Sequence, residues 1–147
     1  MKRVICVCLG NICRSPLAEG ILKAKAQELN VPIEIASAGT AGYHIGSRAD
    51  KRSEKVGKRH NVDISNHKAQ KFKAEHFDEF DIILVMDQMN YNDVSSVARN
   101  SEDLKKIKLY LIEEDVEDPY YGEEDGFEKM YHILESKADH WIRTALQ

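Results

Sequence analysis

One short stretch, Cys8-Leu9-Gly10-Asn11-Ile12-Cys13-Arg14-Ser15, concentrates the reactive side chains of this chain. It offers a thiol, then an arginine after five intervening residues, then a hydroxyl. That spacing suffices to close a ring of backbone whose N–H groups point inward, and a helix starting behind it adds unsatisfied donors and a positive end. An anion would sit at the centre. Gly10 and Asn11 are types that tolerate the left-handed backbone such a ring requires. Arg14 supplies a planar fork matched to two phosphate oxygens, which a lysine could not copy. A thiol in this field is held partly as thiolate, and Ser15 can donate to the sulfur. The chemistry implied is covalent catalysis through a phosphocysteine at Cys8, with phosphorus attacked in line. A GxxxxGK[ST] nucleotide loop is absent, which argues against ATP held in the Walker manner.

The elements around the stretch read as an α/β protein. Residues 4–9 form an unbroken apolar run, as expected of a parallel strand covered on both faces. Ser15-Pro16 offers an N-cap with proline at the first helical position, and apolar residues recur at helical spacing to Asn30. Residues 33–38 and 107–112 read as further strands, and Asp81–Met86 as a central one. Helices are expected from about Asp50 to His60, from Phe72 to Phe80, over 88–99, and as one final helix from Phe127 to Ala145. Residues 39–48 and the acid-rich 113–126 read as loops. Strands alternating with helices over 1–147 predict a single domain with a parallel sheet, whose ligands bind beyond the carboxyl ends of its strands. Both the 9–14 turn and the 113–126 loop leave from that edge.

Composition agrees. A chain of 147 residues with 42% hydrophobic content can bury a core. Its 21 Lys and Arg against 25 Asp and Glu remove any global electrostatic case for nucleic acid or an anionic membrane. The apolar run after Arg3 is too short for a signal peptide, and no stretch is long enough to span a bilayer. Three cysteines, all between residues 6 and 13, point to reduced thiols in a cytoplasmic protein. Cys6 reads as a small buried hydrophobe. The histidines share no metal-binding spacing with each other or with the cysteines, so no metal and no organic cofactor are expected. Residues 48–73 carry nine Lys and Arg against Asp50, Glu54 and Asp63. This is a solvated helix face or an attraction for acidic phosphoprotein segments.

The run V-C-L-G-N-I-C-R-S-P resembles, without a gap, the signature loop of the low-molecular-weight protein tyrosine phosphatases. The resemblance extends along nearly the whole chain, with Asp118-Pro119-Tyr120-Tyr121-Gly122 similar to the family's general-acid loop. It implies a three-layer sandwich around a four-stranded parallel sheet of order 2-1-3-4. It also implies Cys8 as nucleophile, Arg14 as phosphate clamp, and Asp118 as the acid that protonates the leaving phenol and then the base that activates water. His67 matches the family histidine that hydrogen-bonds the loop asparagine, here Asn11. Tyr43 aligns with a variable aromatic wall, and Tyr120 and Tyr121 resemble tyrosines whose phosphorylation regulates activity. Relatives that act on phosphoarginine carry threonine where this chain has Ile12, so isoleucine favours tyrosine.

The residues support these roles in their own terms. Cleaving an aryl phosphate needs a proton donor, and a carboxyl group facing a thiolate and a phosphate dianion tends to keep its proton. Among the acids of 113–125, only Asp118 stands in an Asp-Pro-Tyr-Tyr context. A deep slot walled by Tyr43, Tyr120 and Tyr121 would admit phosphotyrosine and exclude the shorter phosphoserine. The expected substrates are tyrosine-phosphorylated proteins or small aryl phosphates, with inorganic phosphate as product. Two other activities use similar loops. A thiol-dependent arsenate reductase would need a relay of further cysteines, and none follows Cys13. A non-catalytic phosphate sensor would have no need of Cys8 and Asp118. Cys13, in the same ring as Cys8, is a candidate redox partner for a protective disulfide.

Overall fold

The computed structural model describes residues 1–147. Four parallel strands form one sheet in the order β2-β1-β3-β4: β1 Lys2–Cys8, β2 Ile33–Gly39, β3 Ile82–Val85 and β4 Ile107–Leu109. This is the expected order. β1 lies in the centre, paired from Lys2↔Ile33 to Cys8↔Gly39 on one side and from Val4↔Ile82 to Val7↔Val85 on the other. Its continuous apolar run follows from burial on both faces. Val4, Cys6 and Cys8 join one core with residues of α1 (Arg14–Glu28), α2 (Lys51–Arg59), α6 (Glu124–Ser136) and α7 (Ala138–Ala145). Ile5 and Val7 join the opposite core with Phe77 of α3 (His76–Glu79) and Val94 of α4 (Gln88–Ser96). Every side chain from Val4 to Cys8 therefore gains apolar cover, about 1.5–3 kcal/mol for each large one.

Several expected boundaries are corrected. The final helix is two helices broken at Lys137, where Ser136 Oγ donates to Ile133 O at 2.6 Å and competes with the helical ladder. The break lets Trp141 pack inward, its Nε1 donating to Tyr110 O at 2.9 Å. β4 stops at Leu109 because the chain turns there, with Ile112 at φ 73 and Ile112 N donating to Leu109 O. The 72–80 helix is only His76–Glu79, since Lys71 bridges to Gly39 and Phe72 N donates to Gly39 O at the end of β2. A short helix α5, Ser101–Lys105, was not anticipated, although Asn100 caps it by accepting from Asp103 N.

Candidate active site

β1 ends at Cys8 and α1 begins at Arg14, so the 8–15 loop is the connection between the central strand and the helix behind it. Ser15 is not the N-cap that the sequence predicted. Cys13 takes that position and no side chain caps the helix. The reason lies in the use of Ser15, whose hydroxyl faces the loop interior: Ser15 Oγ is 3.0 Å from Cys8 Sγ and accepts from Asn11 Nδ2 at 2.8 Å. Its one proton has two acceptors in reach, the Cys8 sulfur at 3.0 Å and Ala38 O at 3.3 Å. The first-turn N–H groups of α1 stay available for an anion.

Only one of the two residues expected to take the left-handed conformation does so. Asn11 has φ 59, whereas Gly10 does not lie in the left-handed region. Gly10 is small for a different reason: a Cβ there would stand 3.1 Å from the His44 ring. Asn11 is pinned in its strained backbone by four bonds. Its Nδ2 donates to Ser15 Oγ and to Ser37 Oγ, its Oδ1 accepts from Gln70 N at 2.9 Å, and its carbonyl bonds His67 Nε2 at 2.7 Å. His67 thus contacts the loop asparagine through the main chain. Ser37 and Gln70 were missed by sequence reasoning, because nothing local distinguishes them from other polar residues. Gly39 closes the support, since a Cβ on it would meet Leu9 O at 2.7 Å and Asn11 N at 3.0 Å.

Arg14 is 2% exposed, an unusual place for a guanidinium. Nη1 donates to Asp87 Oδ2 at 2.6 Å and to Val116 O at 3.0 Å, while Nη2 lies 3.5 Å from Asp118 Oδ2. Burial opposes the charge, yet Cys8, Asp87 and Asp118 together hold the guanidinium above its ordinary pKa. Asp87 was also missed. Its position just after β3, opening α4, was its only signal: its other oxygen caps that helix by accepting from Asn90 N at 2.7 Å.

Cys8, Leu9, Gly10, Ile12, Cys13, Arg14 and Asp118 line one cavity of about 110 Å³. Its rim is aromatic: Tyr43, Tyr120 and Tyr121, as the sequence proposed, together with His44, which it did not. Asp118 comes from the loop that follows β4, with its side chain 38% exposed and Oδ1 accepting from Tyr120 N at 3.0 Å. Although Cys8 is 2% exposed, it forms part of this cavity wall. Burial pushes the Cys13 thiol pKa well up, reinforced by Asp50, Cys8 and Asp118. Burial raises that of Cys6 too, away from the cavity.

Elsewhere, four of the nine Lys and Arg of the 48–73 segment are ion-paired: Arg48 with Glu54, Arg52 with Asp50, Lys55 with Glu124 and Arg59 with Glu128. The fold also brings together two histidines that no sequence spacing relates. His60 and His132, remote in sequence, are brought to the same carboxylate, with His60 Nε2 at 2.7 Å and His132 Nε2 at 3.8 Å from Glu128 Oε1. Arg59 also compensates this carboxylate, which forms an ionic clasp between α2 and α6.

The chemistry of this constellation can be set beside known proteins. The family described as "Low molecular weight phosphotyrosine protein phosphatase" matches residues 3–147. A Saccharomyces cerevisiae protein with that description is 37% identical, over 95% of this chain and 92% of that protein. The Homo sapiens protein so described is 39% identical, over 88% of this chain and 87% of its own. Among solved structures, a protein tyrosine phosphatase from Entamoeba histolytica matches with a TM-score of 0.92 at 34% identity, covering 97% of this chain and 95% of that one. Vibrio vulnificus Wzb in complex with benzylphosphonate matches with a TM-score of 0.87 at 29% identity, covering 97% and 98%. The chain belongs to the low molecular weight phosphotyrosine protein phosphatase family and is a hydrolase of phosphotyrosine.

Proposed function

We propose that this chain, acting as one domain, hydrolyses aryl phosphate monoesters through a phosphocysteine on Cys8. The thiolate attacks phosphorus from the floor of the cavity, and the bond from phosphorus to the phenolic oxygen breaks as Asp118 gives that oxygen its proton. Developing charge on the equatorial oxygens is met by the Arg14 fork and by the backbone N–H groups of residues 9–15. Asp118, now a carboxylate, takes a proton from water, and the resulting attack on phosphorus returns Cys8 as thiolate and releases inorganic phosphate. Ser15 supports the sulfur as it leaves. Asn11 and His67 hold the loop in shape through their hydrogen bonds. No residue cluster at this cavity calls for a metal.

The observation that carries this reading is the shared cavity: Cys8 and Arg14 from one loop, and Asp118 from 104 residues beyond Arg14, line one space with an aromatic rim. Benzylphosphonate, bound by the Vibrio relative, is an aryl phosphate with its bridging oxygen replaced by carbon, which favours aryl esters here as well. Tyrosine-phosphorylated proteins and small aryl phosphates are the proposed substrates. Three free cysteines suit a reducing compartment such as the cytoplasm, and no helix is long and apolar enough to cross a membrane.

The test compares wild type, Cys8→Ser and Asp118→Ala on phosphotyrosine, phosphoserine and phosphoarginine peptides. Wild type should prefer phosphotyrosine, Cys8→Ser should be inactive, and Asp118→Ala should lose most on esters with poor leaving groups. Undiminished turnover by Cys8→Ser would remove the nucleophile.

A further inference from the structure

Asp50 and Arg52, at the start of α2, connect the two loops that build the cavity. On one side, Asp50 N donates to Ile12 O of the 8–15 loop at 2.8 Å. The Asp50 carboxylate caps α2 by accepting from Arg52 N at 2.8 Å, and it also accepts from Arg52 Nε and Nη2, each at 3.0 Å. On the other side, Arg52 Nη2 donates to Tyr120 O at 2.8 Å and Nη1 donates to Gly122 O at 3.0 Å. The same guanidinium lies 4.4 Å from the Phe127 ring centroid and 5.7 Å from that of Tyr120.

These contacts matter because of where Asp118 sits. Its own link to Arg14 is long, 3.5 Å, and its side chain is partly in solvent. Its position is therefore set by how the loop is attached on either side. Upstream, Val116 N donates to Met86 O at 2.7 Å and Val116 O accepts from Arg14. Downstream, the loop itself is held by the pair of bonds from Arg52, and beyond it the exposed Lys55–Glu124 ion pair at 3.0 Å joins α2 to the first residue of α6. A proton donor must come within hydrogen-bond reach of the leaving oxygen, and a shift of about 1 Å can cost on the order of a hundredfold in rate.

We propose that Arg52 is a positioning residue for proton transfer: it ties the Tyr120–Gly122 segment to α2 and so holds Asp118 over the cavity. This role rests on the assignment of Asp118 as the proton donor. A planar fork suits the task because its donors leave in different directions, two carbonyls being reached while the Asp50 carboxylate stays bonded. The device is selective. Asp50 caps α2 through the main-chain N–H of residue 52 and reaches Ile12 through its own N–H, so both links survive loss of the guanidinium. Removing the Arg52 side chain should loosen the acid-bearing loop and leave the anion cradle intact.

The test measures kcat/KM of full-length wild type, Arg52→Gln, Arg52→Lys and Asp118→Ala on aryl phosphates graded from p-nitrophenyl phosphate to phenyl phosphate. Vanadate inhibition and thermal melting accompany each variant. Asp118→Ala should steepen the dependence on leaving-group basicity. Arg52→Gln should steepen it in the same direction, losing roughly tenfold on phenyl phosphate and less than about twofold on p-nitrophenyl phosphate. Its vanadate inhibition constant should be unchanged, and Arg52→Lys should fall between. Equal losses on both esters, weakened vanadate binding, or a wild-type slope in Arg52→Gln while Asp118→Ala is steep would each overturn the positioning role alone. A wild-type slope in Asp118→Ala would remove the proton donor itself and the positioning role with it. Should Arg52→Gln fail to fold, Arg52→Lys decides by the same slope, since it keeps the charge and stem without the fork.

Discussion

Arg14 Nη1 and Asp87 Oδ2 stand 2.6 Å apart, with the arginine side chain 2% and the aspartate 19% exposed. A guanidinium poised to meet an incoming anion is thus balanced beforehand by a carboxylate at the start of α4. Asp87→Asn would keep the shape and remove the charge. Loss of a charge-assisted hydrogen bond of this kind should cost about 2 kcal/mol of stability. Because Arg14 is then less firmly aimed, kcat/KM should fall roughly tenfold. Urea unfolding and steady-state kinetics check both, and a variant with wild-type kinetics would show that Arg14 needs no such anchor.

Gly39 offers a second test of the cradle. In Gly39→Ala the new Cβ would stand 2.7 Å from Leu9 O and 3.0 Å from Asn11 N, both backbone atoms. One of the two chains must shift, and the shift falls on the loop that binds phosphate. The expected result is retained secondary structure by circular dichroism with kcat/KM lowered at least roughly tenfold. Unchanged kinetics would mean that the loop absorbs the displacement.

Oxidation should act on the same loop. Cys8 and Cys13 line one cavity, so peroxide should abolish activity and dithiothreitol should restore it. In Cys13→Ser, recovery should be poor, because no neighbouring thiol protects an oxidised Cys8. Equal recovery by both proteins, followed by activity assays and mass spectrometry, would remove Cys13 as redox partner.

His76 gives a pH dependence with a definite sign. It is 8% exposed, and burial lowers its pKa; its Nδ1 accepts from Lys73 N at 2.9 Å. The folded state therefore binds a proton less readily than the unfolded state does. The contribution to stability is complete above the ordinary histidine value of about 6.5 and is lost as pH falls through the lower folded value. Stability in urea should decline from about pH 7 toward pH 5, and His76→Gln, which can keep an acceptor, should flatten that decline. An identical slope in the variant would assign the effect to other groups.

The centre of the fold was legible because its signals are local. β1 is apolar at consecutive positions since both faces are covered, and Cys8, Gly10 and Arg14 lie within one turn at its end. Residues that converge from afar were not legible. Asp87, Ser37, Gln70 and His44 reach the loop from separate parts of the chain, and none stands in a pattern that announces the contact. Ser15 was misread as a cap because its sequence context, Ser-Pro before a helix, fits capping equally well. The other reading of the same residue, a donor to the sulfur, is the one the geometry keeps, with the hydroxyl 3.0 Å from Cys8 Sγ.

Rapid denaturation of wild-type enzyme during turnover of an aryl phosphate, with peptide mass spectrometry, tests the proposed chemistry most directly. Phosphocysteine chemistry predicts one added phosphoryl group on the peptide containing Cys8, removable with time and absent in Cys8→Ser. A phosphoryl group on another residue, or turnover in which Cys8 is never modified, would contradict it.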